Sequence, residues 1–132
     1  MVKAVDIETE LSGLKVIEGR TPATPEEELG PAFATLATTE DGGVFAGSFV
    51  GESAWERHRN GDELVQILKG HATVTVLQGD EEHVLDMPAG SVVVVPRGCW
   101  HRFQAPDGCT VMTMTPQPTD HTAIDPRDQS GL

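Results

Sequence analysis

The chain has 132 residues, 38% of them hydrophobic and 23% charged, with a net charge of −12. This is the profile of a single soluble globular domain, long enough to bury roughly two thirds of its unfolded surface without help from a disulfide or a metal. The acidic balance argues against nucleic acid or an anionic membrane as partner, and no apolar run reaches the ~20 residues that span a bilayer.

The opening stretch MVKAVDIETE has no apolar core of the kind an export signal needs, so a cytoplasmic location is expected. Residues 1–23 carry short apolar alternations such as LKVIEG and read as edge strands. TPEEEL (24–29) has a helix-start pattern: Thr24 as cap, Pro25 at the first helical position, then three glutamates near the positive helix end. From residue 33 the pattern turns to β. FATLAT and VFAGSFVG flank TEDGG; SAWERH and ELVQIL flank RNGD; ATVTVL and EHVLDM flank QGDE; SVVVVP and WHRFQA flank RG; CTVMTMT closes the series. Strands at this spacing, with no stretch long enough for a crossover helix, predict an all-β antiparallel sandwich or barrel. The last residues, PQPTDHTAIDPRDQSGL (116–132), are Pro-rich and polar and read as a tail, disordered or draped over the surface.

The two cysteines are Cys99 and Cys109. APDG (105–108) reads as a hairpin turn that sets them about 16 Å apart along a strand, too far for a disulfide. Free thiols in a reducing compartment are expected.

Asn60-Gly61 is a strong hairpin signal, because a type I′ turn needs positive φ at both central residues. Such a turn pairs Arg59 with Asp62 and His58 with Glu63, and paired residues share a face. Glu56, two positions before His58, joins them. Three potential ligands then converge on one face of the ribbon. The other face carries Trp55, Arg57, Leu64, Gln66 and Leu68, and is apolar enough to cover a second layer or a subunit contact. In GSVVVVPRGCWHRF (90–103), Val92 to Val95 read as a fully buried strand, Pro96-Arg97-Gly98 as a turn, and His101 lies on the returning strand with Phe103 on its face. Spacing alone does not bring His101 to His58. His71, His83 and His121 read as solvated. Arg57, Arg59, Arg97 and Arg102 lie near these segments and read first as offsetting local acid charge, with a carboxylate anchor as the alternative.

These two segments resemble the two motifs of the cupin superfamily. Glu63, six spacers and Gly70 fit the end of the first motif, with His58 at its second histidine. Gly90, Pro96, Gly98 and His101 fit the second motif in full spacing. Glu56 stands where the family has its first histidine, Gly51 is one residue off the pattern, and Ala105 replaces the closing asparagine. The resemblance covers about residues 44–115. It implies an antiparallel double-stranded β-helix, or jelly-roll barrel, filling 1–132 as one domain with a short N-terminal helix. It also implies a divalent metal held by Glu56, His58, Glu63 and His101. Two imidazoles and carboxylates suit Fe, Mn, Ni, Zn or Co without choosing among them. Without the metal, one of Glu56 and Glu63 is expected to titrate high, since two close carboxylates repel. A small polar metabolite is the implied ligand and a homodimer the implied assembly. The implied activities are metal-dependent dioxygenation, isomerisation, decarboxylation or lyase chemistry, with Glu56 as base in a proton-transfer version. The altered first motif leaves a non-catalytic binding or sensor protein without metal as the alternative.

Overall fold

The computed structural model describes residues 2–128. Nine strands join one curled, mostly antiparallel sheet: β1 (Ile17–Arg20), β2 (Phe33–Thr38), β3 (Gly42–Glu52), β4 (Trp55–His58), β5 (Glu63–Gln78), β6 (Glu81–Pro88), β7 (Val92–Val95), β8 (His101–Pro116) and β9 (Thr119–Thr122). Two short helices precede the sheet's bulk, α1 (Ile7–Ser12) and α2 (Glu26–Leu29). The expected all-β cage with a short N-terminal helix is the architecture found.

β8 is the spine. It pairs with β3 along one edge and with β5 along the other. β5 and β8 are each 16 residues long and bend together. At the bend Gly70 lies opposite Cys109, with φ +73° at Gly70 and +95° at Gly108. A Cβ on Gly70 would sit 2.4 Å from the Gly108 carbonyl oxygen, so the close crossing requires glycine there. The register slips on both sides of this point, and such bulges curl a sheet. Inside the curl lie Val65, Ile67, Val74 and Phe49, each no more than 1% exposed.

Several expectations are corrected. Residues 105–108 do not form a hairpin turn, because β8 continues through them without reversing. Cys109 pairs instead with Phe49 and Gly70, and both cysteines are free. Within 1–23, Asp6 caps α1 by accepting from the Thr9 N–H, so only 17–20 is a strand, and it runs parallel to β3. In α2 the cap position falls on Pro25, while the Thr24 hydroxyl oxygen accepts from the Thr21 N–H. Val92 and Val94 are more than half exposed, at 58% and 53%, because β7 pairs only with β5 and shows its other face to solvent. The tail is not loose up to residue 128: β9 pairs with β4, and a 3-10 turn follows at Pro126–Asp128. The expectation for 129–132 lies outside the described residues.

Candidate metal centre

β4 and β5 flank Asn60-Gly61 but do not pair with each other, and neither residue has positive φ, so the type I′ hairpin is not formed. His58 pairs with Thr119 on β9, and Glu63 pairs with Val95 on β7. The two ligand candidates still meet, because their connection is tied to the second segment's turn. The Asp62 carboxylate accepts the Arg97 N–H at 2.8 Å, and the His58 carbonyl accepts the Gly98 N–H at 2.9 Å. Gly98 takes a φ of +79°, which favours glycine. His101, two residues after Cys99, opens β8 opposite Glu56.

His58, Glu63 and His101 therefore converge, with one ligand atom from each lying within 4.8 Å of the others. All three are buried, and the imidazole centroids are 5.3 Å apart. His101 Nε2 is 2.9 Å from Glu63 Oε1, and His58 Nε2 is 3.1 Å from Glu63 Oε2. Thr115 donates its hydroxyl to Glu63 Oε2 at 2.6 Å and meets the Thr113 hydroxyl at 2.7 Å.

The outer nitrogens fix the tautomers. The Cys99 carbonyl can only accept, so His101 Nδ1, 3.0 Å away, carries a proton. The Thr119 hydroxyl donates to Gln117 Oε1, so it accepts from His58 Nδ1 at 3.0 Å. In their neutral forms both rings then turn an Nε2 lone pair toward the Glu63 carboxylate. Lone pair faces lone pair unless a cation lies between them. His58 Nε2 is off the line a hydrogen bond needs, and it is buried without a hydrogen-bond partner among the described residues. A divalent ion fits this donor set, and its outer partners hold both rings as metal-ligating histidines are usually held.

A proton meets the same need in part. Burial pushes the Glu63 carboxyl up, but His101 and His58 outweigh it and hold the group down at about 2. Burial disfavours the His101 imidazolium, and Glu63 outweighs that, so His101 titrates above its ordinary value. The raised carboxyl expected for a crowded pair is thus not seen at Glu63: its neighbours are imidazoles, not a second acid.

Glu56 stands outside the three-residue cluster. It shares the interior row of His101, but its carboxylate faces His121 on β9 at 3.4 Å. His121 is therefore no bland tail residue. Both line a cavity of about 500 Å³ together with His58, Glu63, Thr113, Thr115 and Thr119. Phe103, on the face of His101, lines it, whereas Val65 and Ile67 are sealed in the core. Of the four arginines singled out by sequence, Arg57 and Arg59 bind Asp120, and Arg102 covers Trp55 at 4.9 Å. The arginine in the cavity wall is Arg20, which sequence reasoning passed over.

The family model for the cupin domain matches residues 49–115. No curated protein matches the chain in sequence. Among solved structures, a cupin-2 domain containing protein from Shewanella frigidimarina is similar, at 26% identity over 64% of this chain and 79% of that one, with a TM-score of 0.51. A hydroquinone 1,2-dioxygenase, solved with Cd2+ and 4-hydroxybenzonitrile, shares the fold at 17% identity over 64% and 63%, TM-score 0.54. So does the Drosophila melanogaster CENP-C cupin domain, at 16% identity over 63% and 67%, TM-score 0.56.

Proposed function

The chain belongs to the cupin family, and from that premise we propose that it binds one divalent transition metal through His58, Glu63 and His101 and takes a small molecule in the adjoining cavity. The observation that carries this reading is the pair of tautomer-fixed imidazoles aimed at one buried carboxylate. The bound ion would supply Lewis-acid or redox chemistry, Fe, Mn, Ni, Zn and Co all suiting the donors. Thr119 and the Cys99 carbonyl orient the rings, and Thr115 holds the carboxylate. Glu56, at the cavity wall against His121, would accept a proton from a bound ligand. Dioxygenase, isomerase and lyase chemistry all remain compatible with this arrangement.

One observation favours a second reading, a metal-free binding or sensor domain. A protonated His101 lets Glu63 accept from both His101 and Thr115 and leaves the carboxylate satisfied. Elemental analysis of untagged protein beside His58→Ala and His101→Ala separates the two. Stoichiometric metal in the parent and its loss in both variants are expected. Full loading in both variants overturns the ligand assignment, and a parent that takes up no metal selects the second reading.

A homodimer belongs to the same proposal. Val94, Leu64, Met114 and Val44 fall in one cross-strand row on the outer face, and Val94 and Met114 are about half exposed there, at 53% and 47%. A monomer by light scattering at micromolar concentration removes it. No helix among the described residues is long and apolar enough to cross a membrane. A single domain over 1–132, and the cytoplasm as the compartment where two free thiols persist, complete the reading.

A further inference from the structure

All four phenylalanines of the chain, Phe33, Phe45, Phe49 and Phe103, line the one cavity that holds the candidate metal ligands. Aromatic faces of this kind suit a ligand that carries a ring. Phe103 stands edge-on to both His101 (6.2 Å, 70°) and Phe49 (6.5 Å, 85°), so the aromatic surface continues up to the ligand set. A volume near 500 Å³ accommodates a molecule of one or two rings.

The same wall carries a cation that makes no direct ion pair, the Glu56 and Glu26 carboxylates favouring its charge only from a distance. The guanidinium of Arg20 lies over the Phe49 ring at 4.5 Å and the Phe33 ring at 5.7 Å. Its Nε is buried with no hydrogen-bond partner, and among the described residues no carboxylate comes within ion-pair distance of it. The other charges in the cavity are answered. Glu56 faces His121, Glu63 faces two imidazoles, and Glu26 is exposed at the rim. Contact with aromatic faces offsets only part of the hydration a guanidinium loses, and its planar fork of N–H donors matches a carboxylate.

The backbone is built to put Arg20 there. Arg20 pairs with Gly51 where β1 lies parallel on β3. Gly51 has φ +126°, and a Cβ on it would meet the Arg20 carbonyl oxygen at 2.2 Å. Only glycine at 51 lets β1 approach closely enough for Arg20 to reach the phenylalanines.

We propose that Arg20 is the anion anchor of this cavity and that the ligand is a small aromatic carboxylate, its ring against the phenylalanines and its carboxylate in the Arg20 fork. The proposal deepens the ligand half of the reading above and does not depend on the metal half.

Calorimetric titration of phenylacetate, its neutral isostere phenylacetamide, and acetate tests it. The parent is expected to prefer phenylacetate to both by about tenfold or more. Arg20→Gln should erase the preference over the amide while metal content by elemental analysis stays at the parent level, and Arg20→Lys should keep part of it. Equal binding of acid and amide by the parent, acetate binding as tightly as phenylacetate, no binding of any of the three, or an undiminished preference in Arg20→Gln each overturns the proposal. Should Arg20→Gln fail to fold, the ranking of the three ligands by the metal-stripped parent decides, and loss of the preference for the acid there overturns the proposal. Metal content is read separately, so loss of the metal reading leaves this result standing, and the reverse also holds.

Discussion

The chain makes two kinds of histidine–carboxylate contact on one sheet. At the mouth of the curl, His58 and His101 flank Glu63 with all three side chains at most 5% exposed. On the outer β5–β6 ribbon, His71 meets Asp86 and His83 meets Glu81, with the acids 81% and 75% exposed. The residue types are the same. On the ribbon, water solvates the carboxylates, so each contact is worth little. At the mouth each group depends on the others, because no solvent compensates a lost partner. A histidine near a carboxylate is therefore weak evidence for a site until the surroundings of both are known.

The sharpest way to break that contrast is to remove one acid from each region. Glu63→Gln leaves two buried imidazoles and Thr115 with a neutral amide, and should cost about 3–5 kcal/mol. Asp86→Asn should cost at most about 1 kcal/mol. Urea unfolding of the metal-stripped variants measures both, and similar values for the two would show that burial is not what separates the regions.

Next in size is pH. In the metal-stripped protein Glu63 is depressed from 4.5 to about 2, since its imidazole partners outweigh the effect of burial. A depressed carboxyl contributes stability that is fully present above 4.5 and is lost as the pH falls toward 2. His101 is raised above 6.5, Glu63 again outweighing burial. Its contribution is full below 6.5 and is lost as the pH rises through the raised value. Stability should thus peak between about pH 4.5 and 6.5, and Glu63→Gln should flatten both flanks. A ligating imidazole must be neutral, so adding Zn or Co should shift the optimum upward. An acid flank that survives in Glu63→Gln would assign the dependence elsewhere.

How far this centre was legible follows from which interactions are local. Motif spacing singled out His58, Glu63 and His101, because each opens or closes a strand at a turn and turn residues mark themselves in sequence. How they meet was not legible. The expected hairpin is replaced by Asp62 bonding Arg97 and His58 bonding Gly98, contacts across 35 to 40 positions that no local pattern carries. Gly70 read as the close of the first motif and Gly108 as part of a hairpin turn, yet they bend two continuous strands past each other, a role that exists only once the strands have paired. Thr119 and His121 were lost with the polar tail: TDHT shows no apolar alternation, because β4 supplies its backbone partners. Arg20 was lost for a similar reason, since a four-residue strand announces itself weakly and its parallel pairing rests on a glycine 31 positions away.

The smallest expected effects test whether the outer partner of a buried imidazole matters more than an exposed pair of similar length. Thr119 Oγ1 is 3.0 Å from His58 Nδ1, and Arg59 Nε is 2.8 Å from the Asp120 carboxylate. Thr119→Val keeps the side-chain shape but removes the acceptor that fixes the His58 tautomer. Metal affinity should fall by about 10- to 100-fold, read by competition with a chelator, with His58 still in place. Arg59→Ala removes an arginine that is more than half exposed, and Asp120 keeps Arg57. Its effect on stability should stay within about 0.5 kcal/mol and on metal affinity should be undetectable. If Thr119→Val behaves like Arg59→Ala, the ring is held by packing alone, and the tautomer argument for the metal centre loses its support at His58 while standing at His101, whose partner is a backbone carbonyl that side-chain substitution does not remove.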